Sequence, residues 1–219
     1  MNKGELIRYL ERSVNRPDMA DAYSDWINQG LRSIYQAHSF LCMKDRITVT
    51  VANQTTSAVL PANFKELQAE RSPIYMQGQD GTLLPCKITR EALERRLLTA
   101  NQTIVVPTNP STLFRDLPVW LDWDANDAYL YLLYPTTGDT EFVIKCFNYL
   151  ADLQNDDDAN YITRTYEEMV KAKVAAVAYE ELRDPEWRDQ EELYHLRLKK
   201  AKADDLYRAQ KGRITQMGQ

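Results

Sequence analysis

Acidic side chains lie just ahead of residue 161 at a spacing typical of a calcium-binding loop. Asp156, Asp158, Asn160 and Glu167 match positions 1, 3, 5 and 12 of the D-x-[DN]-x-[DN]-G-x5-E pattern. Position 6 is Tyr161, however, where the sharp turn of such a loop requires glycine. The residues after Tyr161 also follow a helical pattern that a coordinating loop would interrupt. We therefore expect Asp158 or Asn160 to cap a helix, and we predict no metal site here.

Other residue patterns that carry chemistry are missing from the sequence. The two histidines, His38 and His195, fall in predicted helices without a Ser or Cys nucleophile at a recognisable spacing. The seven glycines form no phosphate-binding loop, and the sequence contains no G-x-S-x-G, H-E-x-x-H or Walker pattern. We predict that the protein is not an enzyme and uses no cofactor.

The three cysteines are predicted to be buried thiols. Cys42, Cys86 and Cys146 are far apart in the sequence and stand among apolar or strand-like residues. Their spacing is not that of a metal-binding motif, and cysteine is often buried as a small hydrophobic residue. We therefore expect neither a disulfide nor a redox site.

Composition excludes several classes of protein. The chain has 219 residues, of which 44% are hydrophobic, which is enough for a packed core. No apolar run approaches the roughly 20 residues of a membrane-spanning helix, and the first residues lack the apolar stretch of a signal peptide. The net charge of −5 argues against a protein that grips nucleic acid over its whole surface. We expect no membrane contact and a cytoplasmic location in the cell that makes the protein.

Helical patterns occupy both ends of the chain. Leucine and isoleucine recur at helical spacing over 3–14, and aromatic and aliphatic residues do so up to about residue 40. An alanine-rich pattern covers 161–184 and favours close approach of a neighbouring helix. Asp184 and Pro185 then resemble an N-cap and a first helical residue, so a further helix is predicted to run toward residue 206.

The middle of the chain reads as strands. Alternating or β-branched runs predict strands at 47–51, 55–60, 72–76, 82–88, 119–123, 128–134 and 140–149. A brief helix is predicted at 89–98 and a proline-rich loop at 107–118. The predicted fold class is therefore α+β: a helical bundle formed by 1–45 and 158–212, with an inserted antiparallel β domain at 46–152 and a flexible tail at 213–219.

Charge is distributed unevenly along the last predicted helix. Acidic residues dominate 184–192, whereas seven basic residues face only two acidic ones over 197–213. We predict that these basic residues contact a partner protein or a neighbouring subunit. They are Arg197, Lys199, Lys200, Lys202, Arg208, Lys211 and Arg213. An equally simple interpretation is that Lys199, Lys200 and Lys202 form the solvated face of a helix.

The order of several short motifs resembles the head-to-tail adaptor, or connector, proteins of tailed bacteriophages. After the first predicted helix, the motifs that carry this resemblance are Trp26-Ile27-Asn28, Leu60-Pro61-Ala62-Asn63-Phe64, Leu130-Tyr131-Leu132-Leu133-Tyr134-Pro135, Phe142-Val143-Ile144-Lys145-Cys146-Phe147-Asn148-Tyr149, and Tyr166 followed by the alanine-rich helix. They cover residues 6–184. Each motif alone is short, and it is their order that carries the resemblance.

The resemblance implies a structural virion protein rather than an enzyme. Such adaptors form a ring, usually dodecameric, beneath the portal protein, offer a platform to tail or nozzle proteins, and surround a channel through which the genome passes. Their C-terminal segment commonly reaches the portal, so we expect deletion of the residues after Lys202 to abolish docking while the chain still folds. Contact with DNA in the channel should be transient, because each neutralised phosphate adds salt-dependent affinity.

Two alternatives remain open at this point. A tail-completion or tail-tube protein would belong to the same structural class. A nucleic-acid-binding module would use the basic C-terminal helix, and it would show phosphate-driven DNA affinity with a steep dependence on salt.

Overall fold

The computed structural model describes residues 1–69, 72–78, 80–88, 118–124, 127–132 and 135–217. It contains two compact units, one formed by Met1–Met43 with Tyr149–Gln219 and the other by Lys44–Asn148. The first unit is helical and the second consists of β-sheets. The predicted α+β class is therefore confirmed.

The helical unit contains five α-helices in its described residues. They are α1 Lys3–Val14, α2 Tyr23–Ala37, α3 Tyr161–Thr165, α4 Glu167–Glu181 and α5 Trp187–Met217, with 3-10 helices at Pro17–Ala22 and Leu41–Met43. The bounds of α1 are those predicted, and a capping box between Asn2 and Glu5 fixes its start. Helix α2 ends before the predicted residue 40, because His38 adopts an extended backbone conformation.

The prediction of one helix over 161–184 is wrong in one respect, because the structure has two helices there. Asn160 caps α3 by accepting a hydrogen bond from the backbone N–H of Thr163 at 3.0 Å. Tyr166 then leaves the helical conformation, with φ −119° and ψ 43°, while its N–H still donates to Ile162. Helix α4 therefore starts at Glu167 in a new direction.

Close packing of α2 on α4 depends on small residues. A Cβ atom at Gly30 would lie 3.0 Å from Cγ2 and 3.2 Å from Cα of Val174. Gly30 therefore weakens α2 as an isolated helix but allows the two helices to approach. The α4 alanines are buried on several sides of the helix: Ala172, Ala175, Ala176 and Ala178.

The β unit contains two sheets. Its strands are β1 Lys44–Val51, β2 Ser57–Val59, β3 Phe64–Leu67, β4 Ile74–Gln77, β5 Leu83–Pro85, β6 Lys87–Ile88, β7 Pro118–Asp124, β8 Asp127–Leu132 and β9 Thr140–Asn148. One sheet has the order β1-β9-β4-β5, with β3 also paired to β9, and the other has the order β2-β8-β7-β6. The strand pairs are antiparallel except β6 with β7, which is parallel. The prediction of a wholly antiparallel insertion is corrected to that extent.

Two strand predictions also need correction. Strand β3 was not predicted, and it pairs with β9 through a register shift between Phe64 and Glu66. The predicted helix at 89–98 and the loop at 107–117 lie outside the described residues, whereas Pro118 begins β7 rather than ending a loop.

The core of the β unit joins aliphatic, aromatic and cysteine side chains. Val51, Ile74, Phe142 and Ile144 are fully or almost fully buried within it. All three cysteines of the chain are free thiols; Cys86 and Cys146 are buried and Cys42 is partly buried. Burial raises the pKa of Cys86 to about 12 and, together with Asp45, raises the pKa of Cys146 to about 11. Burial is thus confirmed for two of the three thiols.

Candidate assembly surface

Helix α5 carries the predicted contact residues, and its start is set by the turn after α4. Asp184 accepts a hydrogen bond from the backbone N–H of Glu186 at 3.0 Å. Arg183 takes the left-handed conformation, with φ 56°, and thereby ends the preceding helix. Helix α5 has 31 residues, so it is about 46 Å long. It continues past residue 212, where a flexible tail was predicted.

One face of α5 packs on the rest of the helical unit. Its buried residues are Tyr194, Leu198, Ala201 and Asp205, which follow the three- and four-residue steps of a helix face. Ion pairs border this face: Lys173 of α4 lies 2.8 Å from Glu191, and Arg197 lies 3.1 Å from Glu168. The inner face of α5 therefore has the pattern of an ordinary core helix.

Asp205 fastens α5 to the segment after α2. It is only 4% exposed, and its two carboxylate oxygens accept from the backbone N–H of Leu41 at 3.2 and 3.1 Å. Nε2 of His38 lies 3.6 Å from the same carboxylate. Residues 206–211 contain no buried side chain. Asp205 is thus the last buried residue of α5 among its described side chains.

The opposite face of α5 exposes apolar side chains. The exposed fractions are 36% for Leu193, 67% for Leu196, 60% for Leu206 and 64% for Tyr207. These are four of the seven large apolar side chains that are exposed in the described part of the chain. With the exposed Ala203, we call this set the outer stripe: Leu193, Leu196, Ala203, Leu206 and Tyr207. Such a concentration on one helix is typical of a surface that binds another protein.

The predicted basic residues lie along α5 but differ in their surroundings. Lys199, Lys200 and Lys211 are exposed, whereas Lys202 is partly buried. Arg197 is engaged with Glu168 within the unit. The side chain of Arg213 lies outside the described residues. Lys199 and Lys200 follow Leu196 by three and four residues, so they border the outer stripe.

Arg208 is held by an intramolecular network rather than directed freely outward. It donates to Asp204 at 2.8 Å and to the hydroxyl of Tyr161 at 3.0 Å. Asp204 also accepts from the hydroxyl of Tyr166 at 3.2 Å. Burial, together with Asp205 and Asp204, raises the pKa of Tyr166. Two of the predicted contact residues, Arg197 and Arg208, therefore bind side chains elsewhere in the helical unit.

The sequence analysis missed the outer stripe. There, Leu206 served only to mark the end of the last predicted helix, whereas in the structure its side chain is 60% exposed. The signal was present, because residues 193, 196, 203 and 207 are apolar and repeat at helical spacing beside the inner set. Two apolar stripes on one otherwise polar helix would have indicated a helix that packs on one side and binds on the other.

A groove of about 340 Å³ lies between the start of α4 and α5. Its walls include Tyr166, Glu168, Arg197 and Asp204. These polar groups bind one another, since Arg197 donates to Glu168 and Tyr166 donates to Asp204. The groove therefore serves the packing of α5 and has no arrangement of acid, base and nucleophile among these residues.

The acidic residues before α3 stabilise the turn that leads into this helix. The Asp158 carboxylate accepts from the backbone N–H groups of Asn155 at 2.7 Å and Gln154 at 2.8 Å. These bonds hold the pKa of Asp158 below its usual range. Asn160 caps α3, as expected. In the described ranges, no three His, Cys, Asp or Glu side chains are grouped so that they could hold a metal ion.

The two histidines have packing and surface positions. The ring of His38 meets Phe40 edge-on, with 4.6 Å between centroids. His195 is exposed and lies 3.4 Å from Glu191 one turn earlier on α5. These positions agree with the packing and surface roles expected from the sequence.

The longest helix of the packed helical unit thus exposes an apolar stripe with lysines beside it, which is typical of proteins that bind other proteins. The chain belongs to the SU10 adaptor protein family, whose model matches residues 1–218. The resemblance to bacteriophage head-to-tail adaptors is thereby confirmed. A search of curated proteins found no match.

Membership of this family defines the protein in general terms. It is a structural bacteriophage adaptor, and the family implies a virion component that interacts with portal and tail proteins. In the part of the chain that the structure describes, no helix has both the length and the apolar character needed to cross a membrane.

Proposed function

We propose that this protein forms a dodecameric ring beneath the portal, joins the capsid to the tail and lines the channel through which DNA leaves. The observation that carries this proposal is the family match over residues 1–218. The exposed outer stripe supports it, because a large apolar surface on a folded protein indicates a binding site for another protein.

The end of α5 also supports an assembly role. Beyond Asp205 the helix continues to Met217. None of the side chains at 206–211 is buried, and Arg208 reaches Tyr161 through an exposed hydrogen bond. This end of the helix needs no nucleation of its own, because it continues α5, but without buried side chains it lacks the tertiary packing that supplies most helical stability in proteins. We propose that the segment after Asp205 is the assembly arm and becomes fully ordered when it binds.

We propose that the basic residues act with the outer stripe in this contact. Lys199, Lys200, Lys202 and Lys211 would face acidic groups of the portal or of a neighbouring subunit. Arg197 and Arg208 would contribute by holding α5 in place, Arg197 through Glu168 and Arg208 through the hydroxyl of Tyr161. Arg213 would extend the basic surface toward the end of the arm.

The channel function sets a requirement on charge. DNA must pass without being held, so the lumen should present acidic or neutral side chains. The net charge of −5 is consistent with this. We propose that the helical unit and the β unit are the two domains of the adaptor, and that the protein is made in the host cytoplasm before it enters the virion.

Deletion of the assembly arm tests this function. The cut belongs after Asp205 rather than after Lys202, because Asp205 is buried and accepts from Leu41. Removal of 206–219 should lower the far-ultraviolet helix signal only by the helical residues removed. It should change the melting temperature little, because the exposed bond from Arg208 to Tyr161 is lost but no buried side chain is, and it should abolish co-sedimentation with purified portal. Removal of 203–219 provides a control that should also loosen α5. Undiminished docking by the 206–219 deletion would contradict the proposal.

DNA affinity distinguishes the adaptor from a nucleic-acid-binding module. The full chain should bind duplex DNA weakly at moderate salt, as a monomer and as a ring. Tight binding with a steep salt dependence would favour the module instead.

A further inference from the structure

Acidic side chains are concentrated at the turn between α4 and α5. Glu180, Glu181, Glu186 and Asp189 are exposed there, and we call them the acidic turn. Glu180 and Glu181 lie in the last turn of α4, which has no basic residue. Carboxylates are unfavourable at that end of a helix, where the backbone dipole is negative. Their charge therefore does not stabilise α4 and is available for another contact.

The acidic turn has the chemistry that the outer stripe requires of its partner. The stripe is apolar along its centre and is bordered by Lys199 and Lys200, so a matching surface is apolar at its centre and acidic at its rim. The acidic turn also contains Leu182 and Trp187, which are both partly exposed. Two exposed arginines lie among its carboxylates, Arg183 and Arg188, and Arg188 lies over the Trp187 ring, so the turn is acidic in net charge.

Leu193 follows Asp189 by one turn, but the outer stripe cannot dock on the acidic turn of its own copy, because the stripe runs away from that turn along one continuous helix. Asp189 and Tyr207 lie on the same continuous helix, at about 27 Å from each other along its axis. A contact between the acidic turn and the outer stripe must therefore join different copies. Because the two patches differ, the contact is head-to-tail, and repetition of such a contact closes a ring when the rotation allows it.

We propose that the outer stripe of one copy docks on the acidic turn of the next copy, so that α5 forms the contact between subunits. This inference rests on the proposed ring and identifies its interface. The portal would then meet other parts of the arm and of the ring.

Photo-crosslinking identifies the partner of the outer stripe directly. Full-length protein with p-benzoylphenylalanine at position 207 is mixed with untagged copies and purified portal, and then irradiated. We expect links between copies that map to 180–189. Links to the portal alone would overturn this inference and leave the proposed function standing. Failure to assemble with the portal at all would overturn the proposed function itself.

Charge reversal supplies an independent test with matched variants. Lys199→Glu/Lys200→Glu and Glu180→Lys/Glu181→Lys should each lower ring formation by more than about tenfold, because like charges then face each other. The second pair should fold well, since lysine is favourable at the end of α4. The combined variant should recover most of the rings. If it fails to recover them while each pair alone is folded, the proposed pairing is wrong.

Discussion

Helices α4 and α5 follow each other in the chain and lie in the same unit, but they are buried to different extents. Nine of the fifteen residues of α4 are buried. Of residues 187–211 of α5, only Tyr194, Leu198, Ala201 and Asp205 are buried. Helix α4 is therefore enclosed by its neighbours, whereas α5 packs along one narrow face and presents the rest to solvent.

The difference follows from side-chain size and charge. Small alanines along α4 let neighbouring helices approach from several sides. On α5, charged residues separate an inner apolar set from the outer stripe, so only one of the two can face the bundle. Substitutions in α4 and on the inner face of α5 should therefore change stability, whereas substitutions on the outer face should change assembly.

Two leucines of α5 should show the largest contrast. Leu198 is 6% exposed and Leu196 is 67% exposed. Leu198→Ala should lower the free energy of unfolding by about 2–5 kcal/mol, because it leaves a cavity. Leu196→Ala should change it by less than about 0.5 kcal/mol. Chemical denaturation followed by circular dichroism measures both, and equal losses would remove the distinction between the two faces.

Replacing an alanine by leucine should likewise affect stability in α4 but not on the exposed face of α5. Ala175 of α4 has no exposed surface, so Ala175→Leu should destabilise the fold by about 1–3 kcal/mol through overpacking. The matched change Ala203→Leu lies on the exposed face of α5 and should leave the melting temperature unchanged. A stable Ala175→Leu protein would show that α4 is packed less tightly than described.

Substitution of Asp205 tests the last buried contact of α5. Asp205→Ala should cost about 1–3 kcal/mol, because the buried N–H of Leu41 loses its acceptor. Asp205→Asn keeps one acceptor and should cost less. Hydrogen exchange of the Leu41 amide should accelerate in the alanine variant. Unchanged exchange would mean that this bond does not fasten α5.

Alkaline pH should affect the inner face of α5 through Tyr194. Its hydroxyl is buried with no hydrogen-bond partner among the described residues, and burial, together with Glu191, raises its pKa to about 12. The folded state therefore keeps the proton that the unfolded state loses near pH 10. The contribution of the Tyr194 hydroxyl to the free energy of unfolding is therefore fully present below about pH 10, and it is lost as pH rises toward about 12.

Tyr194→Phe should reduce that alkaline loss by up to about 1 kcal/mol per pH unit. The change should not destabilise the protein at neutral pH, because it removes a buried hydroxyl that lacks a partner. Tyr207→Phe on the outer stripe is the control and should retain the wild-type pH profile. Denaturation midpoints between pH 8 and 12 measure the effect, and identical profiles for the two variants would contradict it.

The sequence predicted those elements whose signals are local. The bounds of α1 follow from its cap and its single apolar stripe. Of the two residues expected to cap the helix after residue 160, Asp158 and Asn160, it is Asn160 that does so. The break at Tyr166 was missed because distant groups favour it: its ring lies 5.4 Å from that of Phe40 and its hydroxyl donates to Asp204. Strand β3 was missed because its pairing with β9 is non-local.

The candidate site could be predicted only in part for a related reason. Charge counting located the basic residues on the last helix. Helical spacing alone could not decide which of its two apolar stripes is buried, because residues 194, 198 and 201 and residues 193, 196 and 203 have similar periods. The position of α4 decides that question, and it depends on the tertiary fold.

Imaging of the complex with the portal tests most directly whether the outer face of α5 is the assembly surface. Full-length protein is mixed with purified portal and examined by negative-stain microscopy, next to a Leu196→Glu/Leu206→Glu variant whose fold is verified by circular dichroism. We predict a closed dodecameric ring beneath the portal for the wild type and no ring for the variant. A complete ring formed by the variant would contradict the account.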